Sequence, residues 1–242
     1  MNDTKNLSSF FDTPERESDE KVKLDSETIS CDESIFQIME GFPDLALILN
    51  EARQIIYWNE KALEIFKVAN GKDVLGKRFG EAFKCIHHEE MEAGCGTSRF
   101  CRECGAAKAI KKSREEGILS EEECRIISIF NNKETAFDFY VRSTPFIFKN
   151  TPYLIFAVKD ISGEKRRQAL EKIFFHDVLN TAGAVNGITS LLPLANDSER
   201  TEIINALTDS SQQLLNEITT QRELRNAEDG NLSISFEEIY SN

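Results

Sequence analysis

The sequence predicts an α+β protein in which a five-stranded antiparallel sheet with helices is followed by a long helical hairpin. Within residues 34–162, short runs rich in Ile, Phe, Val and Tyr are separated by turns, which is the pattern of antiparallel strands. From residue 163 onward, apolar residues instead recur every three or four positions, which is the period of a helix that packs on another helix. These two patterns divide most of the 242 residues into a sheet domain and a helical segment.

Residues 1–33 are predicted to be an acidic and mostly disordered tail. They hold ten acidic and four basic side chains and few large apolar ones. Such a segment buries too little apolar surface to offset the entropy that is lost on ordering. A short helix from about Asp32 to Glu40 is predicted to lead from this tail into the sheet.

The five strands follow from local runs and turns. Leu45–Leu49 and Ile55–Trp58 flank a turn at residues 50–53, so we expect them to form a hairpin. Asn59 comes next, and its side chain can cap a helix that continues to Phe66. We expect the helices to lie on one side of the sheet. Three longer runs are predicted to complete that sheet: Cys124–Phe130, Ala136–Phe148 and Pro152–Ile161.

Residues 163–228 are predicted to form the helical hairpin. The first helix carries a narrow apolar seam, which consists of Val178, Ala182, Val185, Ile188 and Leu192. Pro193 ends this helix, and a second helix runs from about Glu199 to Ala227. The apolar stripe of the second helix consists of Ile204, Leu207, Leu214 and Ile218. Because two antiparallel helices alone cannot cover both stripes, we expect a homodimer that forms a four-helix bundle.

Residues 229–242 are predicted to begin a downstream domain that is missing from the chain. Leu232, Ile234 and Phe236 alternate with polar residues, as in a strand. No further run follows that such a strand could pair with. Whether Asn242 is the natural end of the protein stays open.

Composition excludes several classes of protein. The chain has 42 acidic and 29 basic residues and a formal net charge of −13, which disfavours binding to nucleic acid. No run approaches the ~18 apolar residues that a membrane span needs. The first residues lack the basic start and apolar core of a secretory signal. We therefore expect a soluble cytoplasmic protein.

Four of the six cysteines lie within residues 85–104, which we predict to be an insertion in the sheet domain. In a reducing compartment, such clustering favours a metal or redox site over structural disulfides. The candidate ligands of zinc or of an iron–sulfur cluster are Cys85, Cys95, Cys101 and Cys104. His87 or His88 could replace Cys85 as the fourth ligand. A thiol–disulfide switch and the absence of any such role stay open as alternatives.

The two remaining cysteines are interpreted as residues that bind no metal. Cys31 lies in the acidic segment, far along the chain from the cluster. Cys124 stands at the start of a predicted strand, so we expect it to be buried as a small apolar residue.

Three segments resemble parts of known signalling proteins. Leu45–Phe66 (LALILNEARQIIYWNEKALEIF) resembles the opening of a PAS sensor domain, and Asp160–Ser162 resembles the motif at which PAS domains lead into a signalling helix. Phe174–Ala182 (FFHDVLNTA) resembles the H-box of two-component sensor histidine kinases. The resemblance implies that residues 34–162 are a PAS-like sensor and that residues 163–228 are the dimerisation and phosphoacceptor region.

The H-box contains the candidate catalytic residues. Two residues turn a helix by roughly 200°, so His176 points away from the seam through Val178 and exposes a nucleophilic nitrogen. The neighbouring Asp177 can take the proton from the other ring nitrogen. The resemblance implies that His176 is the phosphoacceptor and Asp177 the general base. It also implies that Asn180 positions the water that hydrolyses the phosphorylated response regulator.

No segment matches the ATP-binding domain of a histidine kinase. ATP and Mg²⁺ would act through a catalytic domain supplied in cis by a longer protein or in trans, and phosphate would pass to the receiver domain of a response regulator. Whether the chain is itself an enzyme therefore stays open. Two alternatives remain: a non-enzymatic, metal-sensing or redox-sensing dimeric interaction module, and a phosphotransfer protein that is served by another kinase.

Overall fold

The protein is described by a computed structural model, and the description covers residues 7–66, 68, 70–130 and 133–228. The chain divides into two compact units, residues 1–163 and 164–242. The first unit contains the sheet, and the second contains the helical hairpin. The predicted residues 229–242, with Leu232, Ile234 and Phe236, lie outside the described residues.

The sheet has five antiparallel strands in the order β2-β1-β5-β4-β3. Their bounds are β1 Leu45–Leu49, β2 Ile55–Trp58, β3 Ser120–Phe130, β4 Lys133–Phe148 and β5 Thr151–Asp160. The predicted sheet is thus confirmed, although β3 and β4 begin several residues earlier than their apolar runs. The added residues include the polar and exposed Glu121 and Glu134, so hydrophobicity did not mark them.

Five helices belong to the first unit. They are α1 Asp19–Ser30, α2 Glu33–Glu40, α3 Glu60–Phe66, α4 Phe79–Ala82 and α5 Gly105–Glu116. The predicted cap forms, because the Asn59 amide oxygen accepts the N–H of Ala62 at 3.2 Å. The Asp32 carboxylate likewise accepts from the first turn of α2. The α5 helix ends at Gly117, whose φ of +67° suits glycine.

Helices cover both faces of β1, and the expectation that they lie on one side is wrong. Leu47 points into a core with α4 and α5, whereas its neighbour Ile48 belongs to a second core with α1 and α2. All five residues of β1 are therefore buried, which explains its uninterrupted apolar run.

Within residues 7–33, the acidic segment forms a helix and buried contacts, unlike the mostly disordered tail that its composition predicts. Val22 and Ile29, two helical turns apart on α1, are buried against the sheet. The N–H of Phe10 donates to the carbonyl of Thr97 at 2.9 Å. Asp12 is buried in an ion pair with Arg53. A few buried contacts thus anchor a segment whose average composition is polar.

The second unit consists of α6 Ser162–Leu191 and α7 Asp197–Glu228, joined by a short turn that contains Pro193. All residues of the predicted α6 seam are half-buried. They lie on the same side as Thr181, whose hydroxyl donates to Glu217 of α7 at 3.3 Å. Among the described residues, no helix is both long and apolar enough to cross a bilayer.

The predicted apolar stripe of α7 is only partly covered within one chain. Leu207 and Leu214 are half-buried as expected, but Ile204 and Ile218 are 53% and 44% exposed. Ile203 takes the half-buried position instead. Since neighbouring residues differ by 100° around a helix, Ile203 and Ile204 cannot share one face.

Candidate functional sites

The three predicted phosphotransfer residues are brought together on the exposed side of α6. The His176 side chain is 71% exposed, and its Nδ1 lies 3.0 Å from Oδ1 of Asp177. The amide nitrogen of Asn180 lies 3.3 Å from each ring nitrogen of His176. The helix creates this cluster, because residues four apart lie one above the other.

This geometry gives the imidazole a defined chemistry. When Nδ1 carries the proton and donates to Asp177, Nε2 keeps its lone pair. A lone pair on an exposed ring can attack an electrophile such as a phosphoryl group. The Asn180 amide is close enough to contact a group bound to either nitrogen.

Hydrogen bonds join the start of α6 to strand β4. The N–H of Ser162 donates to Oδ1 of Asp160 at 2.8 Å. The N–H of Asp138 donates to the Ser162 hydroxyl at 2.9 Å, and the N–H of Ile161 donates to the Asp138 carbonyl at 2.8 Å. The segment that resembles a PAS exit motif is therefore fixed to the sheet by its backbone and by two side chains.

The four predicted cysteine ligands line one cavity of about 350 Å³. Cys85 follows α4, Cys95 lies in the loop after it, Cys101 lies in a single helical turn, and Cys104 caps α5. Apolar side chains of α4, α5 and β3 form much of the rest of the wall, including Phe79, Ile110 and Ile126. The insertion therefore closes over an internal space with its thiols directed to it.

Glycines allow this loop to approach α4 closely. A Cβ atom at Gly80 would lie 2.7 Å from the sulfur of Cys95 and 3.4 Å from Cβ of Cys85. Gly94 and Gly96 adopt φ values of +82° and +93°, which side chains disfavour. The positions on both sides of Cys95 thus turn the backbone so that the thiol reaches the cavity.

The two candidate histidines also line the cavity, but both use Nδ1 elsewhere. His87 stacks on Phe100 with ring centroids 4.1 Å apart, and its Nδ1 lies 2.5 Å from Oε1 of Glu90. Nδ1 of His88 lies 2.6 Å from the carbonyl oxygen of Cys85. These contacts fix the loop around Cys85.

Cys124 is buried, as predicted, and its sulfur lies 3.6 Å from that of Cys104. Residue spacing could not indicate this contact, because Cys124 is twenty residues away on β3. Cys31 is exposed at the end of α1. None of the six cysteines forms a disulfide.

A buried arginine, Arg78, organises the wall of the cavity. Its side chain is 1% exposed and donates to five carbonyl oxygens, those of Pro14, Glu15, Ala52, Ala93 and Cys95. Burial, together with the nearby Arg53 and Arg16, lowers the pKa of Arg78 to about 9, so that it still carries its charge at neutral pH. Sequence reasoning missed this residue.

Further guanidinium groups share carboxylates beside the cavity. Asp12 pairs with Arg53 at 3.0 Å and with Arg114 at 2.6 Å. Glu81 pairs with Arg16 and also accepts the backbone N–H groups of Arg78 and Cys95, both at 3.0 Å. Positive charge therefore exceeds negative charge among these groups.

The thiols of the cavity are protonated at neutral pH. Burial raises the pKa of Cys85 to about 11 and shifts those of Cys95 and Cys101 upward. The hydrogen bond with Cys124, together with burial, raises the pKa of Cys104. Within the described ranges, no three Cys, His, Asp or Glu side chains are arranged to bind one metal ion.

The fold and the cavity define a sensory α+β domain. A family model described as PAS domain matches residues 43–163, which are half of the chain, and the chain belongs to this family. PAS domains are signal-sensing domains of signal transduction proteins, including two-component kinases. The predicted sensor fold is therefore confirmed.

Solved structures that resemble the chain share little sequence with it. The PAS domain of nitrogen regulation protein NR(II) from Vibrio parahaemolyticus is 13% identical, with 52% of this chain and 96% of that one covered and a TM-score of 0.36. The PAS domain of Bordetella pertussis BvgS is 15% identical, with 61% of this chain and 96% of that one covered and a TM-score of 0.36. A PAS domain from a two-component sensor histidine kinase is 8% identical, with 53% of this chain and 94% of that one covered and a TM-score of 0.35. No curated protein matches the chain. Because these values are low, the family assignment rests on the family model.

Proposed function

We propose that the PAS domain controls phosphorylation of His176 on a dimeric helical hairpin, and that this phosphate passes to the receiver domain of a response regulator. The observation that carries the proposal is the exposed imidazole of His176 with Asp177 and Asn180 beside it. The general base and the amide are within reach of the ring without any rearrangement of the helix.

The exposed apolar residues of the hairpin support a homodimer. On α7, Ile204, Leu215 and Ile218 are 53%, 58% and 44% exposed. Their spacings of eleven and three residues place them on one face of the helix. A second copy that covered this face would form the four-helix bundle, in which His176 stays on the outside.

In this proposal, a separate catalytic domain supplies the phosphoryl group, and this chain accepts it. That domain, in cis or in trans, binds ATP and Mg²⁺ and presents the γ-phosphoryl group to Nε2 of His176. Asp177 holds the proton on Nδ1 while the new N–P bond forms and the bond to ADP breaks. Asn180 then contacts the receiver domain's aspartyl phosphate and directs water to it.

The test is phosphoryl transfer from labelled ATP in the presence of a separately supplied kinase catalytic domain. We expect acid-labile label on the wild-type chain and none on His176→Gln. The chain has three histidines, so His87→Gln and His88→Gln are matched controls that keep the label. Asp177→Asn is expected to slow labelling about 10²-fold to 10⁴-fold, the usual contribution of a general base.

Two results would contradict the proposal. Label that persists in His176→Gln shows that another residue is modified. No label on a folded, dimeric wild-type chain, with any of several catalytic domains, favours a non-enzymatic interaction module. Asn180→Ala is expected to keep the label on His176 and to slow dephosphorylation of the receiver domain.

A further inference from the structure

The thiols of the cysteine-lined cavity do not converge on one point, as the ligands of a single metal ion must. In a closed zinc site, four donors lie about 2.0–2.3 Å from the ion, which places thiolate sulfurs about 3.8 Å from each other. No such set of three or more donors exists within the described residues. The cavity volume of about 350 Å³ is more than ten times the ~30 Å³ share of one water molecule.

An iron–sulfur cluster needs a larger space between its ligands, and a cavity of this volume offers one. In a [4Fe–4S] cluster each thiolate binds a different iron, so the four sulfurs surround a space instead of meeting at a point. Cys85, Cys95, Cys101 and Cys104 line this space from four separate segments. The remaining wall is largely apolar and comes from α4, α5 and β3.

The charge beside the cavity also fits a cluster. A [4Fe–4S] core in its oxidised state with four thiolates carries a double negative charge, which is costly to bury without compensation. Arg53 and Arg78 line the cavity and are 4% and 1% exposed. Arg78 donates its side-chain hydrogen bonds to carbonyl oxygens, and Arg53 shares its carboxylate, Asp12, with Arg114. These two buried cations would partly compensate the charge of a dianionic cluster, although Glu81 lies near Arg78 and Glu115 also pairs with Arg114.

We propose that Cys85, Cys95, Cys101 and Cys104 bind a [4Fe–4S] cluster in this cavity. Four S–H bonds break as four S–Fe bonds form, and the four protons go to solvent. Cys124 is not a ligand: it lies behind Cys104, where its S–H group can donate to the ligand sulfur at 3.6 Å. Hydrogen bonds to ligand sulfurs tune the reduction potential of such clusters. The cluster does not depend on the role of His176.

The test is anaerobic purification of the full chain, or its reconstitution with ferrous iron and sulfide under reducing conditions. We expect four iron and four acid-labile sulfide per chain, with broad visible absorption that disappears in air. Cys101→Ser and Cys95→Ser are expected to lose most of the iron. Cys31→Ser, at an exposed site on α1, is the matched control and is expected to keep it.

A Cys124→Ser variant and a His176→Gln variant extend the test. The first is expected to keep the iron and to shift the reduction potential, and the second is expected to bind the cluster as the wild type does. Circular dichroism establishes that each variant is folded; if Cys95→Ser is not, Cys85→Ser and Cys101→Ser replace it.

Several outcomes would overturn the proposal. One zinc per chain without iron means that the cavity holds a single ion. A metal-free chain after reconstitution, with Cys104 and Cys124 as free thiols or as a disulfide, excludes the cluster. Equal iron in the wild type and in folded Cys101→Ser means adventitious iron only.

Discussion

Replacing Arg78 by lysine keeps the positive charge but removes a branched donor. The arginine donates from Nε to Ala52, from Nη1 to Ala93 and Cys95, and from Nη2 to Pro14 and Glu15. These five bonds leave the guanidinium in three directions. A lysine has three donors on one atom, so at least two of the five carbonyls lose their partner.

The expected loss of stability follows from the number of buried carbonyl groups that are left without a hydrogen-bond donor. A buried polar group without a partner costs about 1–3 kcal/mol, so two cost about 2–6 kcal/mol. A domain of this size is stable by about 5–15 kcal/mol. Arg78→Lys is therefore expected to lower the free energy of unfolding by a large fraction of the total.

The single tryptophan, Trp58, provides the assay because it lies on β2 in the same unit as Arg78. Urea unfolding is followed by Trp58 fluorescence, which reports the sheet domain separately from the hairpin. The matched control is Arg142→Lys on β4, where the side chain is 54% exposed, and its expected effect is within about 0.5 kcal/mol. A loss below about 1 kcal/mol in Arg78→Lys would refute the reasoning.

Two further predictions concern buried polar groups of the same unit. Burial favours a raised pKa for Asp12, but Arg53 and Arg114 more than offset it, so the folded-state pKa lies below the ordinary 3.8. The stability from Asp12 is thus present above about pH 4 and lost as pH falls through the folded-state pKa. Asp12→Asn is expected to cost about 3–5 kcal/mol at pH 7 and to flatten this acid dependence, as measured by urea unfolding at several pH values; an unchanged profile would contradict it. Asn59 accepts from Ala46 at 3.0 Å, so Asn59→Ala is expected to cost about 1–3 kcal/mol. An equal loss in Lys61→Ala, at an exposed position on the same helix, would rule out a specific cap.

Local patterns were sufficient to predict the strands and their turns. Leu45–Leu49 and Ile55–Trp58 are short, apolar and separated by polar residues. Both the apolar runs and the polar turn between them therefore agree with the observed hairpin. The α6 seam was equally clear. The stripe of α7 was not, because Ile203 and Ile204 are adjacent and composition alone does not decide which one faces α6.

Features that depend on tertiary contacts were not predictable in this way. Val22 and Ile29 are isolated apolar residues within an acidic segment. They are buried because they pack on a face of the sheet that α4 and α5 leave uncovered. The Cys104–Cys124 contact requires α5 to pack on β3. Arg78 follows Lys77 in the chain, where a charged pair is usually solvent-exposed, and only the folded loop supplies its five carbonyls.

A short path of backbone pairing joins the cavity to the start of α6. Cys124, in contact with Cys104, lies opposite Phe139 on β4, and the preceding residue of β4, Asp138, bonds Ile161 and Ser162. Three hydrogen bonds hold this junction, each with a net value of about 0.5–1.5 kcal/mol, or about 1.5–4.5 kcal/mol together. To shift a protein from one conformational state to another, a ligand must bind the two states with free energies that differ by a few kcal/mol. For a nearly complete shift, the difference is about 5.5 kcal/mol. If a changed occupant of the cavity alters the pairing at Asp138, we expect the proposed signal to reach the start of α6 through these bonds, whose combined free energy is of the size that such a shift needs.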